Sequence, residues 1–428
     1  MKISIIGKVL LSILLFTSII SFAQDLDASL QLRPRYEFRN GFRGLMLDNQ
    51  APASFIAQRT RLNLNFKQEK IAAKASFQNI RTWGDIKTTA TNDKNGVMLF
   101  EAWGQYNFNS NWSSRLGRQV ITYDNERIFG EIDWIQQGQS HDAIVATYKK
   151  GSTQLDIGAA LNADTEGLYR DLYVTNYKNM QYVWYHTNIT NLQLSLLALN
   201  TGFQYKNASP TDLKIDYLQT FGTFLKYQKN KFDANLSLYG QTGKSKLVTE
   251  NTSVSAYNLA LNLNYKLVDK IKAGAGYEIL SGKDQRDTEN KIKSFNPIFG
   301  TNHAFNGLMD YFYVGNHKNT VGLQDFLLKF NYTSNPWKLE LTPHLFTTAA
   351  DVINPKNTTQ TMDSYLGTEI DLISSYQLHK NIGITAGYAQ MFGSETLEAL
   401  RGGNRELGNN WAFLMINFNP TIFSIKNK

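Results

Sequence analysis

The sequence predicts an all-β protein: a transmembrane antiparallel β-barrel of about 18 strands, with short periplasmic turns and long extracellular loops. Three observations lead there. Segment after segment alternates apolar and polar residues with a period of two. The connections between segments alternate between long and short. The chain also begins with a leader of the kind that directs export.

Composition narrows the field before any strand is placed. The 428 residues include no cysteine, 25 Phe, 22 Tyr and 7 Trp; apolar residues make up 42% and charged residues 19%. Both shares lie below those of ordinary soluble domains, so uncharged polar residues fill the difference. Abundant aromatics with many Asn, Thr and Gly favour strands and turns over helical bundles. The aromatic load argues against disorder, and the missing cysteines exclude a disulfide or thiolate-metal scaffold.

The leader spans residues 1–23. Lys2 and Lys8 precede an apolar run from Val9 to Ile20, and Ser21-Phe22-Ala23 supplies a small-x-small cleavage site. The run contains Ser12, Thr17 and Ser18 and falls short of the ~20 residues a spanning helix needs. Cleavage after Ala23 makes Gln24 the mature N-terminus, leaves one barrel domain over 24–428, and lowers the formal charge from +8 to +6.

The first strand sets the pattern. Leu30, Leu32, Pro34, Tyr36 and Phe38 alternate with Gln31, Arg33, Arg35, Glu37 and Arg39. Leu62, Leu64 and Phe66 then oppose Arg59, Arg61, Asn63 and Asn65. The same period of two recurs at 232–239, 257–265, 271–279 and 337–345. Short polar turns fall near 68–70, 109–111, 150–151, 190–191, 229–230, 268–270, 334–336 and 379–380. Between them lie nine long connections, near 41–56, 83–96, 119–140, 163–178, 201–216, 242–252, 281–321, 349–361 and 392–409. Eight turns and nine loops join 18 strands, the asymmetry of outer-membrane barrels. Tyr36, Phe66, Phe108, Trp112, Tyr227, Phe232, Tyr265, Tyr332 and Trp337 stand near strand ends, where aromatic girdles belong. A soluble sandwich or propeller explains single strands equally well, but repeats of constant length are missing.

Alternation also assigns the charges to sides. An arginine facing lipid at the bilayer midplane costs about 2–4 kcal/mol. Arg33, Arg35, Arg59 and Arg61 are therefore expected to face the lumen from two adjacent strands, with Glu37 the one carboxylate close in sequence. Arg115 is inward by the same parity. Glu101, between Phe100 and Ala102, and Glu369 and Asp371, beside Ile370 and Leu372, put carboxylates in the lumen too. Arginines on one wall and acids on another produce a transverse field. Parity puts Arg118 on the face of Leu116, unless a bulge at Gly117 re-aims it.

A resemblance joins these readings. Gly117-Arg118-Gln119, Tyr123-Asp124-Asn125, Arg127-Ile128-Phe129-Gly130, Trp134 and Ser140-His141-Asp142 resemble the signature of the alginate-export family of outer-membrane porins. Arg33 to Glu37 and Gln58 to Leu62 resemble its first two strands. His141 stands where an aromatic usually precedes the Asp. The resemblance implies an 18-stranded monomeric barrel in the outer membrane, carrying anionic polysaccharide outward through an arginine-rich constriction. Gly117, Arg118, Gln119, Asp124, Arg127, Gly130, Trp134 and Asp142 are the positions that match.

Other chemistries find little support. Ser140, His141 and Asp142 hold triad residue types, but neighbours on a strand point to opposite faces. The six histidines lack an HExxH pair. Asp284, Asp287 and Glu289 share the longest loop, with spacing that matches no EF-hand. His303, Tyr311, Tyr313 and His317 are expected to pack that loop against the rim or fold it into the pore. No cofactor, metal or nucleic acid is expected. The expected partners are outer-membrane lipid, the barrel-assembly machinery during biogenesis, and an anionic solute or polysaccharide. The expected function is a porin or export channel passing anions. A general diffusion porin, a barrel enzyme and a surface adhesin stay open as alternatives.

Overall fold

The computed structural model describes residues 24–207, 209, 211–245, 251–312 and 320–426. The leader expected over 1–23, and Tyr313 and His317, lie outside them. Thirteen strands follow one another from the start: β1 (Gln24–Asn40), β2 (Ala53–Gln68), β3 (Ile71–Thr82), β4 (Met98–Asn107), β5 (Trp112–Gln119), β6 (His141–Lys150), β7 (Thr153–Leu161), β8 (Asn179–Ile189), β9 (Leu192–Lys206), β10 (Leu213–Lys229), β11 (Phe232–Ser245), β12 (Thr252–Val268) and β13 (Ile271–Leu280). The two-residue β14 (Lys291–Ile292) lies within a loop, parallel to the start of β12. Then come β15 (Leu323–Ser334), β16 (Trp337–Thr347), β17 (Tyr365–His379), β18 (Ile382–Gly393), helix α1 (Glu395–Arg401), β19 (Asn409–Phe418) and β20 (Thr421–Ile425).

Each barrel strand pairs antiparallel with the next, and β13 pairs directly with β15. Closure is made by β1. One of its edges carries β2; the other carries β19 over Leu32–Asn40 and β20 over Leu26–Ser29. The last two strands thus form one stave, interrupted at Asn419-Pro420, where proline cannot donate to the ladder. With β14 set aside, the wall is a closed barrel of 18 strands. Closure satisfies every strand edge, as hydrocarbon surroundings demand.

The alternation places the side chains as lipid and water require. Leu62, Leu64, Leu339, Leu341, Ile370, Leu372, Leu414 and Ile416 lie on the outer face, and their neighbours in sequence face the lumen. All eight tight turns occur where the sequence places them, several with a left-handed residue such as Glu69, Gly151, Thr190 or Asn230. Two connections are shorter than the sequence suggests. β9 and β10 run on to Lys206 and from Leu213, and β11 and β12 to Ser245 and from Thr252. Their alternation continues past the ~10 residues needed to span the bilayer, so these hairpins stand above it.

The buried core lies inside the barrel. Phe129, Tyr177, Met180, Phe299, Met309, Phe346 and Trp411 belong to one apolar cluster that fills the half of the lumen on the long-loop side. Two of the long connections, 120–140 and the described part of 281–322 (281–312 and 320–322), turn inward to build it. They are called the first and second inner loops below.

Two inner loops docked inside the barrel

The first inner loop lies against the arginines of β1 and β2. Arg33 donates to Asp133 Oδ2 (2.9 Å), to Gln136 Oε1 and to the Ile135 carbonyl. Arg59 donates to Asp133 Oδ1 (2.7 Å), and its Nε is held by Gln31. Arg61 donates to Gln78 and reaches Glu131 at 3.4 Å. Its guanidinium stacks 3.7 Å from the Phe100 ring. Arg35 pairs with Glu37 (2.8 Å), donates to the Trp134 carbonyl and lies 3.8 Å from that indole ring. Glu37 also accepts from Arg39 and from the Trp411 indole. Each of these arginines thus keeps several partners while packed out of water, which a buried charge requires.

The opposite wall is acidic and receives the second inner loop. Glu369 accepts the backbone N–H of Met309 (2.7 Å), and Asp371 accepts that of Leu308 (3.0 Å). Asn306 donates to Glu278 (2.8 Å), and Asp325 pairs with His344 (2.9 Å). Asp310 is bonded to His303 within the loop at 2.8 Å. Asp287 and Glu289, considered above as calcium ligands, share the ammonium of Lys293. Among the described residues no group of acids and histidines is arranged to hold a metal ion.

The two loops also dock on each other. Gly130 donates its N–H to the Phe299 carbonyl (2.9 Å), and the Phe129 and Phe299 rings stack at 5.5 Å. A Cβ on Gly130 would lie 2.2 Å from Thr301 Oγ1, so the close approach requires glycine. Arg127 leaves the first loop to pair with Glu278 (2.8 Å) and Asn306 (2.9 Å). Trp134 stacks on His303 at 4.2 Å. Asp124 accepts the Trp184 indole N–H (3.1 Å) and takes a left-handed backbone with φ 55°.

The sequence motifs therefore fall in two places. Arg127, Gly130, Trp134 and Asp124 belong to the inner loop and its docking. Gly117, Arg118, Gln119 and Asp142 belong to the outer ends of β5 and β6. Gly117 has φ 123°, and a Cβ there would lie 2.3 Å from the Ala102 carbonyl. No bulge interrupts the β4–β5 register, so Arg118 stays on the outward face of Leu116 and pairs with Asp142 (2.9 Å). Gln119 turns inward and donates to the Ala143 carbonyl. Arg115 faces the lumen, bonded to Gln105 and 4.1 Å from the Trp103 ring. Glu101 is inward and pairs with Lys74.

Two expectations need correction. Glu37 is not the sole acidic neighbour of the arginine wall: Asp133 and Glu131 arrive from the inner loop. Phe100 does not face lipid. The β3–β4 register shifts between Ser76 and Phe77, which leaves Phe100 as an extra residue, turned inward beside Glu101.

Sequence reasoning missed Glu131, Asp133 and Gln136 because a loop has no parity to read. Their one signal is two acids inside a motif-bearing loop, in a chain whose first strands are rich in arginine. Burial pushes the carboxyl groups of Asp124 and Glu131 above the usual carboxylate range. At Glu131 the nearby Asp133 adds to the rise, and Arg61 opposes it.

Space remains below the loops. A cavity of about 490 Å³ is lined by Gln105, Arg115, Tyr123, Lys149, Gln154 and Asp156, among others. A second, of about 310 Å³, opens on Arg59, Arg61, Lys74, Glu131 and Asp133.

Comparison with known proteins agrees with this geometry. The family model described as "Alginate export" matches residues 24–409, nearly the whole described chain. The chain belongs to the alginate-export family. A search of curated proteins gives no match. Among solved structures, this alginate-export chain is similar to OpdQ of Pseudomonas aeruginosa, with TM-score 0.60, 13% identity, and 93% of this chain and 98% of that one covered. The outer membrane protein OpdK of the same organism gives TM-score 0.61 at 10% identity, with 93% and 99% covered. OccK8 (OprE), also from that organism, gives 0.57 at 13%, with 93% and 98% covered. At such identities the likeness is one of fold. Family and fold together are those of an outer-membrane channel, crossing the membrane many times.

Proposed function

We propose that this channel passes anionic solutes, acidic saccharides among them, along the arginine wall and beneath the first inner loop. The observation that carries the reading is the lining of the 490 Å³ cavity. Arg115 and Lys149 face it together with amide and hydroxyl side chains, while its acid, Asp156, accepts a hydrogen bond from Tyr123 (2.8 Å). Amides and hydroxyls suit a sugar, and the cations suit its carboxylate. Arg33, Arg35, Arg59 and Arg61 extend the positive field along the neighbouring wall. In a narrow lumen with low-dielectric sides such a field is focused and enriches anions. Arginine keeps its charge at any working pH and grips a carboxylate with two parallel bonds. Several weak sites in series let a solute enter and still leave. The family takes its name from the export of alginate, an acidic polysaccharide, which is consistent with this cargo class.

Replacing Arg35 and Arg61 together with Gln tests the reading. In planar bilayers the anion-over-cation permeability ratio is expected to fall on the order of a few-fold, because lumen charge tunes selectivity. The barrel should still migrate in heat-modifiable fashion. An unchanged reversal potential would make the arginines wall filler and favour a general diffusion porin.

A further inference from the structure

We propose that Arg33 and Arg59 form a carboxylate-binding site whose resident ligand is the channel's own Asp133, and that a transported carboxylate takes its place there. The inference rests on the anion reading above and names one site within it. Each oxygen of the Asp133 carboxylate is held by a different guanidinium, Oδ2 by Arg33 at 2.9 Å and Oδ1 by Arg59 at 2.7 Å. That is the geometry an incoming carboxylate would adopt.

Burial separates the site from its occupant. The side chains of Arg33 and Arg59 are 4% and 1% exposed, whereas Asp133 is 52% exposed. Asp133 lines the 310 Å³ cavity beside Arg59, and Arg33 lies behind the cavity's lining. The arginines do not depend on it for their orientation. Gln136 and the Ile135 carbonyl fix Arg33, and Gln31 fixes the Nε of Arg59. The hydrogen bonds of Asp133, by contrast, all go to these two guanidinium groups among the described residues. Withdrawal of the Asp133 side chain leaves a preformed clamp.

A tethered ligand competes as though present at a high local concentration, of millimolar order. Removing it should therefore raise the apparent affinity for free carboxylates. The test uses the full-length channel in planar bilayers with chloride as carrier. Glucuronate is added as the blocking probe, and glucose serves as its neutral counterpart. D133N is expected to lower the half-blocking concentration of glucuronate on the order of tenfold, with glucose unaffected. E131Q adds the same unit of charge near Arg61 without vacating the clamp, and should shift it far less. R33Q with R59Q should abolish the D133N gain.

D133C allows an assay after insertion, because the chain contains no other cysteine. Modification with a sulfonate-bearing thiosulfonate should restore the weak block, and a neutral methyl reagent should not. Equal shifts in D133N and E131Q, or no shift in D133N in an anion-selective channel, overturn the inference and leave the anion reading standing. A wild-type channel that prefers cations and ignores glucuronate removes both.

Discussion

The basic and acidic walls of the lumen both hold an inner loop, but by opposite means. On β1 and β2 the wall supplies the cations, and the loop answers with carboxylate side chains, one of them half exposed. On β13, β15 and β17 the wall supplies the acids, and the second loop answers with backbone N–H groups of Leu308 and Met309 and the amide of Asn306. A backbone donor cannot leave without unfolding its segment, while a carboxylate on a rotatable side chain can. The acidic wall is thus an anchor. On the basic wall the Trp134 and Ile135 carbonyls anchor the loop in the same way, and the Asp133 carboxylate alone is a contact that another carboxylate can replace.

The largest expected effect comes from breaking the junction between the two halves. In Gly130→Val the added side chain meets Thr301, whose backbone nitrogen lies 2.9 Å from even a Cβ. The loops must part, taking the Phe129–Phe299 stack and the Arg127 bridge with them. Single-channel conductance should rise several-fold, since residues of both docked loops occupy the barrel interior and their parting opens it. An unchanged conductance in a folded barrel would show that the docked loops do not limit conduction.

A smaller effect sharpens the contrast between the walls through pH. Burial holds the Glu131 carboxyl above the usual range, so it takes up its proton earlier than an ordinary glutamate as pH falls. The sign follows from the raised value. Docked loop binds more protons than free loop between the ordinary and the raised pKa, so docking at this residue is favoured below that window and weakened as pH rises through it. Protonation also removes a negative charge beside Arg61, so anion preference should increase on acidification. Reversal potentials measured from neutral to mildly acid pH should show this trend, and E131Q should flatten it. A pH response that survives E131Q would locate the titration elsewhere.

How much of this was written in the sequence depends on how local each signal is. The staves were legible because alternation at Leu30–Arg39 or Trp337–Leu345 is a property of neighbouring residues, and lipid enforces it. The tight turns were legible for the same reason. The inward side of Arg33, Arg35, Arg59 and Arg61 followed from parity alone. Phe100 escaped because one extra residue in β4 resets that parity. The inner loops escaped because their partners are remote in the chain: Arg33 and Gln136 are 103 residues apart, and Arg127 and Asn306 are 179 apart. The motif around Arg127, Gly130 and Trp134 marked the loop as special without saying where it goes. Only the closed barrel brings it against β1, β2 and Phe299.

The smallest expected effect lies on the outside of the barrel and provides the reference for the ion pairs within. Arg118 and Asp142 meet at 2.9 Å across β5 and β6, with 34% and 60% of their side chains exposed. Their charges are well solvated at the long-loop rim, so the attraction is screened and the cost of separating them is low. A double-mutant cycle with R118A and D142A, read by thermal or denaturant unfolding in detergent, should give a coupling of about 0.2–1 kcal/mol. Conductance and ion selectivity should not move, because neither group faces the lumen. The Arg59–Asp133 pair differs in the burial of its arginine, and loss of Asp133 should change solute block rather than barrel stability. If the outer pair instead altered selectivity, the field at the rim would reach the pore, and charge placement inside the lumen would no longer be sufficient to explain which ions pass.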